Sequence, residues 1–141
     1  MTVEIREARA EDVQALGELI TYLGHSIDEP TIGKNLTALA QLQESPLVAV
    51  EGSRIIGMCG IHKAILIHRD APLGRICAMV IAEDAQGRRI GRKLVEAAES
   101  RLRAAGSKLI EVTSNDRRVD AHAFYEHLGY ERTSARFAKE L

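Results

Sequence analysis

Four cationic side chains lie within one eight-residue segment, Gln86-Gly87-Arg88-Arg89-Ile90-Gly91-Arg92-Lys93, which begins a predicted helix. A helix N-terminus has unpaired N–H groups and about half a positive charge, so exposed cations there cost about 0.3–1 kcal/mol each. An anion would satisfy the dipole and the cations together. Gly87 and Gly91 allow a ligand to approach the backbone closely, and the loop N–H groups suit a phosphate. The segment therefore predicts a pyrophosphate site, with a solvated basic turn as the alternative.

The spacing of the glycines argues against the common nucleotide loops. The sequence has no G-x-x-x-x-G-K-[ST], and Gly87 and Gly91 are four apart, which does not fit G-x-G-x-x-G. A competing hypothesis is that these arginines and Arg117-Arg118 contact nucleic acid. The formal charge of -1 and the small number of aromatic residues, with no tryptophan, oppose it. We expect neither nucleic acid nor a membrane surface as a partner.

The most regular helix of the chain presents this segment. From Arg88 to Ala105 apolar residues recur at steps of three and four, and Gly106 ends the pattern. Leu109 to Thr113 predicts a buried strand, and Val119 to Leu128 predicts a short helix. Tyr130 to Leu141 is predicted to be terminal strand.

The first half of the chain predicts a strand, two helices and three further strands. Turn residues at Gly52-Ser53 and Pro72-Leu73-Gly74 separate the last three, so an antiparallel meander is the simplest arrangement. The predicted spans are 2–8 for the first strand, 11–22 and 28–44 for the helices, and 46–51, 54–67 and 75–82 for the meander. With 141 residues, 45% of them hydrophobic, we expect one α/β domain over 1–141 with a mixed sheet.

The segment from Gln86 to Gly91 resembles the acetyl-CoA loop of the GNAT N-acetyltransferase superfamily, [Q/R]-x-x-G-x-[G/A]. Gln86 and Gly91 fill the first and last positions, and Arg89 replaces the central glycine. An arginine with helical dihedrals would keep its N–H directed at a phosphate. The resemblance extends over nearly the whole chain. It implies a mixed α/β (α+β) fold with a mostly antiparallel sheet of six to seven strands and about four helices.

Four further segments carry the resemblance. Ala78 to Ala82 is similar to the strand that splays from its neighbour and pairs with the pantetheine arm, and Ser114-Asn115 matches the end of the next strand. Ala121 to Tyr130 looks like the helix A-x-x-F-Y-x-x-x-G-[FY], and Phe137 to Leu141 is similar to the closing strand. The cofactor contacts that the resemblance implies are Met79, Val80, Ile81, Gln86, Gly87, Arg88, Arg89, Ile90, Gly91, Arg92 and Asn115.

The resemblance also implies roles at the reacting centre. The pantetheine arm would pair with Met79 and Ile81, and a backbone N–H near Val80 or Ile81 would polarise the thioester carbonyl. Tyr125 matches the tyrosine placed near the sulfur in many members, and a phenol, with a class pKa of about 10, can protonate a departing thiolate. Because apolar residues share its helix face, Tyr125 also suits packing.

The base that deprotonates the amine lacks a counterpart in this sequence. Many members carry an acid on the strand before the loop, whereas Ile76-Cys77-Ala78 has none. A water chain that ends at Glu111, or His62 on the preceding strand, can accept the proton, since imidazole is the side-chain class with a pKa nearest neutrality. A histidine satisfied within the strand is the alternative for His62.

Metal binding is not expected. His122 and His127 are five apart and share no helix face, and the histidines show no ligand spacing with Cys59 or Cys77. Two cysteines without a framework suggest a reducing compartment, and the N-terminus has no apolar segment of signal-peptide type. We expect a cytoplasmic protein.

By resemblance, the chain would transfer an acetyl group from acetyl-CoA to a primary amine of a small molecule or peptide by direct attack on the thioester. The sequence does not identify the amine. A non-catalytic module that binds or senses acyl-CoA is the alternative, because Arg89 departs from the motif and the acid is missing. A homodimer through exposed strands at Leu47–Val50 or Phe137–Leu141 remains open.

Overall fold

The computed structural model describes residues 2–114 and 119–141. The helices are α1 (Val13–Tyr22), α2 (Glu29–Gln41), α3 (Ile90–Ala104) and α4 (Val119–His127), and the strands are β1 (Val3–Glu7), β2 (Leu47–Glu51), β3 (Arg54–Ala64), β4 (Leu73–Ile81) and β5 (Ile110–Val112). Short 3-10 turns occupy Ala10–Asp12 and Glu83–Ala85. None of the helices in the described ranges has the length and apolar character that a membrane span requires.

The strands form one sheet in chain order, β1-β2-β3-β4-β5. The first three pairings are antiparallel, which confirms the predicted meander, and β5 runs parallel to β4 after the crossover through α3. The hypothesis of an exposed dimer edge at Leu47–Val50 is wrong, because β2 lies between β1 and β3 and these residues are buried. A run of four apolar residues without alternation is typical of a strand covered on both faces.

Helices cover both faces of the sheet. The consecutive residues Ile56 to Cys59 on β3 are all buried, so neither face of this strand is open. At Gly57 a Cβ atom would come within 2.9 Å of Ile81 Cδ1 and 3.1 Å of Leu94 Cδ1, so α3 packs closely on that face. The α1 helix, which packs against α2, covers the other face of β3 and β4. Phe124 of α4 lies against the start of α3, which places α4 on the α3 side.

The predicted C-terminal strand is absent. In the part of the chain that the structure describes, no strand follows β5, and the sheet has five strands rather than six or seven. Charged residues separate the few apolar ones in 131–141, and Phe137 and Leu141 are solvent-exposed. A strand needs both a partner edge and an apolar face to bury, and this segment supplies little of the second.

Candidate active site

A gap between β4 and β5 forms the centre of the candidate site. The two strands pair only from Gly74–Ile110 to Ile76–Val112. At the next position the register between β3 and β4 shifts, because Gly60 pairs with Ala78 and Ile61 with Ile76. Cys77 is therefore the extra residue of a β-bulge, which bends its strand and increases the local twist. From Cys77 to Ile81, β4 continues without a β5 partner among the described residues.

Backbone groups of alternate residues point from β4 into this gap. The N–H of Ala82 donates to the carbonyl of Ile56 on β3 at 2.8 Å. Because successive residues of a strand direct their backbone groups to opposite sides, Val80 shares the direction of Ala82, whereas Met79 and Ile81 face the open side. The Ile81 carbonyl accepts from Gln86 Nε2 there, at the long distance of 3.5 Å. Donors and acceptors for an extended ligand are thus available at Met79 and Ile81.

The gap opens into a cleft of about 1250 Å³. Tyr22 and Leu23 at the end of α1 line one side, and Phe124 and Tyr125 of α4 line the other, so the cleft passes through the sheet from one helical layer to the other. Its lining includes most of the cofactor contacts that the resemblance implies: Met79, Val80, Ile81, Gln86, Gly87, Arg89, Ile90, Gly91 and Arg92. Arg88 is not part of the lining, and Asn115 lies outside the described residues.

The loop before α3 contains two left-handed residues, Gly87 with φ +78° and Arg89 with φ +62°. The expectation that Arg89 has right-handed helical dihedrals is wrong, and the helix begins at Ile90 rather than Arg88. A left-handed conformation costs an L-residue other than glycine about 1–2 kcal/mol. The motif glycine that Arg89 replaces therefore corresponds here to a position where the backbone has positive φ, and the arginine adopts that conformation with strain.

The first turn of α3 presents N–H groups that have no partner within the helix. The first intrahelical bond runs from the N–H of Lys93 to the carbonyl of Arg89, at 3.2 Å, and the side chain of Arg89, the N-cap residue, makes no capping hydrogen bond. The N–H groups of Ile90, Gly91 and Arg92 precede that bond and belong to residues that line the cleft. Unpaired N–H groups and the helix dipole make this end of the cleft suited to an anion.

The three arginines of the loop have different surroundings. Arg88 is held by a two-point ion pair with Glu51 at the end of β2, and the pair lowers the pKa of the Glu51 carboxyl. Arg92 pairs with Glu96 one turn along α3, at 2.9 Å. The Arg89 guanidinium makes no hydrogen bond or ion pair with any residue the structure describes, and Arg89 lines the cleft. Of the three arginines, Arg89 is therefore the one whose charge is most available to a ligand in the cleft.

Tyr125 lies at the α4 side of the cleft. It is 9% exposed, and its ring packs edge-on against Phe124, with centroids 5.0 Å apart, and against Tyr130, at 5.9 Å. The hydroxyl of Tyr130 instead donates to Glu99 on α3, at 2.8 Å. Both features considered for Tyr125, packing and access to the cleft, are present at this position.

A buried carboxylate that the sequence analysis missed pairs with His62. Glu44, in the loop between α2 and β2, lies 2.9 Å from His62 Nδ1 through Oε1 and accepts from the N–H of Lys63 through Oε2 at 2.8 Å. Burial alone would raise the pKa of Glu44, but hydrogen bonds from His62 and Lys63 outweigh it and lower that pKa. Glu44 follows a helix in a polar loop 18 residues before His62, so no local pattern marks it.

The remaining candidates are placed less favourably. Glu111 is occupied by Arg75, whose Nε donates to it at 2.7 Å across the middle of the three paired positions of β4 and β5. Burial raises the pKa of the Cys59 thiol to about 12, and burial also raises that of Cys77, so neither cysteine favours a thiolate. Over residues 2–114 and 119–141 no cluster of three histidine, cysteine or acidic side chains is arranged to hold a metal.

The family of the protein follows from comparison with known proteins. Residues 43–132 match the family model described as an acetyltransferase (GNAT) domain. The chain is 31% identical over 140 residues to aminoalkylphosphonate N-acetyltransferase of Salmonella typhimurium, which covers 98% of this chain and 91% of the relative. It is 31% identical over 128 residues to IAA acetyltransferase of Azospirillum brasilense, with 89% and 81% covered. The chain therefore belongs to the GNAT family of acetyltransferases. Its class of activity is N-acetyl transfer.

Solved structures have the same fold. Glucosamine-6-phosphate N-acetyltransferase of Arabidopsis thaliana superposes with a TM-score of 0.88 at 19% identity over 99% of both chains. A GNAT family acetyltransferase of Staphylococcus aureus superposes with a TM-score of 0.82 at 23% identity over 100% of both. At these identities the likeness concerns the fold alone, and it confirms the predicted mixed α/β class.

Proposed function

We propose that the protein transfers the acetyl group of acetyl-CoA to a primary amine of a small molecule or peptide, by direct attack of the amine on the thioester. The observation that carries the proposal is one continuous cleft that joins the start of α3 to the edge of β4 that has no strand partner among the described residues. The first suits a pyrophosphate and the second an extended arm with alternating amides. GNAT acetyltransferases generally use acetyl-CoA as the co-substrate, which supports this assignment.

Different residues along the cleft would bind the cofactor and assist the chemistry of acetyl transfer. Gly87, Arg89 and the N–H groups of Ile90 and Gly91 would bind the pyrophosphate, and Met79 and Ile81 would pair with the pantetheine arm. The strand alternation excludes Val80 as the N–H donor that polarises the thioester carbonyl, and it leaves the N–H groups of Met79 and Ile81 on the open side of β4. Tyr125 would donate its phenolic proton to the departing thiolate. Both cysteines are free, which supports a reducing compartment such as the cytoplasm.

The names of the relatives suggest which acceptor amines to test first. The Salmonella relative is, by its name, an N-acetyltransferase of aminoalkylphosphonates, and it aligns with nearly the whole of this chain. Aminoalkylphosphonates are therefore the first acceptors to test, followed by amino acids, polyamines, aminoglycosides and short peptides.

The test is release of CoA thiol from acetyl-CoA by the purified protein, measured with each amine and without amine. We expect amine-dependent thiol release, and we expect acetyl-CoA to raise the thermal unfolding temperature, because a ligand bound only by the folded state stabilises it. Stabilisation by acetyl-CoA without thiol release for any amine would indicate a sensing module. If acetyl-CoA at millimolar concentration produces neither thiol release nor stabilisation, the proposal is contradicted.

Single substitutions of the two adjacent arginines should have unequal effects on CoA binding. We expect Arg89→Ala to raise the Kd of CoA about tenfold, since a hydrogen bond to a charged group contributes about 1.5–3 kcal/mol and tenfold corresponds to about 1.4 kcal/mol. Arg88→Ala is the matched control, and it should change Kd less because Arg88 is paired with Glu51. Calorimetric titration measures both.

A pantetheine fragment without pyrophosphate distinguishes phosphate binding from a general disturbance of the loop. Arg89→Ala should leave the affinity of this fragment nearly unchanged. Equal losses for CoA and the fragment, or a larger loss in Arg88→Ala than in Arg89→Ala, would show that Arg89 does not bind the pyrophosphate.

A further inference from the structure

Glu44 and His62 form a pair that the chemistry described above leaves unused. The Glu44 side chain is 7% exposed, whereas the His62 side chain is 43% exposed. The hidden partner is therefore the carboxylate, and the imidazole extends from it towards solvent. An acid that is fixed by two hydrogen bonds behind a half-exposed imidazole can control which ring nitrogen carries the proton.

The hydrogen bonds assign the tautomer of His62. An ionised carboxylate only accepts hydrogen bonds, and the contacts of Glu44 keep it ionised by lowering its pKa. Oε2 accepts from the N–H of Lys63, so Oε1 accepts from Nδ1–H of the imidazole at 2.9 Å. In the neutral ring Nε2 is then unprotonated, and its lone pair is the part of the ring available as a base.

The pair lies on the face of the sheet opposite to Tyr125, outside the cleft lining, and the register partner of His62 is Arg75, one residue before the lining of β4 begins. Side chains alternate along β3, so Gly57 and Ile61 face α3, and His62 faces the α1 and α2 layer. Ile61 pairs with Ile76, the first residue of β4 that lines the cleft. Burial is the main cause that raises the pKa of the Cys77 thiol at the bulge, and the charge of Glu44 adds to this rise.

We propose that His62 Nε2 is the base that removes a proton from the acceptor ammonium group, with Glu44 as the residue that orients the ring. The inference rests on the proposed acetyl transfer. The ammonium gives one proton to His62, and the neutral amine forms a C–N bond to the thioester carbonyl. The C–S bond breaks, and the thiolate takes the second amine proton through Tyr125 or water. His62 then releases its proton to solvent.

The charges around His62 are balanced in this arrangement. Glu44 contacts it from the α2–β2 loop, and Lys63 follows it on β3. Arg75 is its register partner on β4, and Glu111 of β5 offsets the charge of Arg75. Burial raises the pKa of the Cys77 thiol at the bulge, so this thiol stays neutral. Glu44 is therefore the charged group that contacts the imidazole directly.

Two substitutions separate the base from its positioning residue. In His62→Asn the amide nitrogen can replace Nδ1 as the donor to Glu44, while Nε2 is lost. In Glu44→Gln the N–H of Lys63 selects the amide oxygen, so the amide NH₂ faces Nδ1 and forces the proton onto Nε2. The matched control is His68→Asn, at an exposed histidine of the loop between β3 and β4.

The rate is measured as kcat/KM for a confirmed acceptor between about pH 6 and 10. We expect kcat/KM of His62→Asn to be about 10²–10⁴-fold lower at neutral pH, which is the usual contribution of a general base. The Kd of CoA should be unchanged. The loss should narrow at high pH, where the amine is already neutral in solution. Glu44→Gln should show a similar loss of kcat/KM, and His68→Asn should have the kcat/KM of the wild-type protein.

A spectroscopic measurement does not depend on turnover. Nitrogen-15 NMR of the imidazole should show Nδ1 protonated and Nε2 unprotonated in the neutral wild-type ring, and the reverse in Glu44→Gln. Protonated Nε2 in the wild-type ring would overturn the proposal, as would a wild-type pH profile in His62→Asn. If the wild-type protein releases no thiol with any amine, the proposed function itself falls. If the wild-type protein releases thiol and His62→Asn releases it at the same rate, only the assignment of His62 as the base is contradicted.

Discussion

Gly91→Glu is expected to abolish CoA binding while the protein remains folded. A Cβ atom at Gly91 would lie 3.2 Å from Phe124 Cζ, so any side chain there enters the space between the start of α3 and α4 that the cleft occupies. A carboxylate would also place negative charge at the predicted pyrophosphate site. Like-charge contacts across an interface cost several kcal/mol, which predicts at least about a hundredfold loss of affinity.

The matched control for this prediction is Gly91→Gln, which has nearly the same size and no charge. Binding by Gly91→Gln should be weakened but measurable, and the difference between the two variants gives the electrostatic part. Phe124 is only half-buried, so its ring can shift and the fold should survive, as circular dichroism and thermal unfolding will show. A folded Gly91→Glu variant with wild-type affinity in calorimetry would mean that the loop is assigned wrongly.

Tyr125→Phe is expected to lower kcat by about ten- to a thousandfold with little change in KM for acetyl-CoA. The substitution keeps the ring and therefore its contacts with Phe124 and Tyr130, and it removes only the hydroxyl. Loss of one hydrogen bond changes stability by about 1 kcal/mol. If the phenol protonates the thiolate, its contribution arises in the transition state, which affects kcat rather than binding.

Tyr130→Phe provides the control for Tyr125. It also removes a phenolic hydroxyl from the same aromatic cluster, but that hydroxyl donates to Glu99 and lies outside the cleft lining. The variant should lose some stability and keep its kcat. Steady-state rates with a confirmed acceptor test both variants, under conditions in which chemistry limits turnover. Wild-type kcat in Tyr125→Phe would leave packing as the role of Tyr125 and water as the proton donor.

The elements that the sequence predicted correctly are those with a local signal. The stripe of α3 and the uniform apolar run of β2 are properties of neighbouring residues, and such patterns determine an element almost alone. The terminal strand is different, because a strand exists only if another edge pairs with it. Phe137 and Leu141 suggested strand material, but nothing within 131–141 specifies a partner.

The candidate site could be predicted in part. The prediction of an anion loop at Gln86, Gly87 and Gly91 depends on local chemistry, and the structure places all three residues in the cleft lining. The dihedral angles of Arg89 were mispredicted, although a glycine at that motif position is itself a signal for positive φ. The Glu44–His62 pair was not recognised, because it joins a loop and a strand that only the folded chain brings together. Pairs of this kind need the tertiary structure.

Arg89, with its left-handed backbone at the start of α3, affects the stability of the fold and the affinity for the cofactor in opposite directions. Glycine at position 89 would adopt the same dihedral angles without strain, so the free energy of unfolding of the unliganded protein should rise. The same change deletes the cation that is best placed to meet a phosphate. A search for heat-resistant variants that ignores the ligand would therefore select glycine here and weaken cofactor binding. Selection at limiting acetyl-CoA would retain the arginine and its strain.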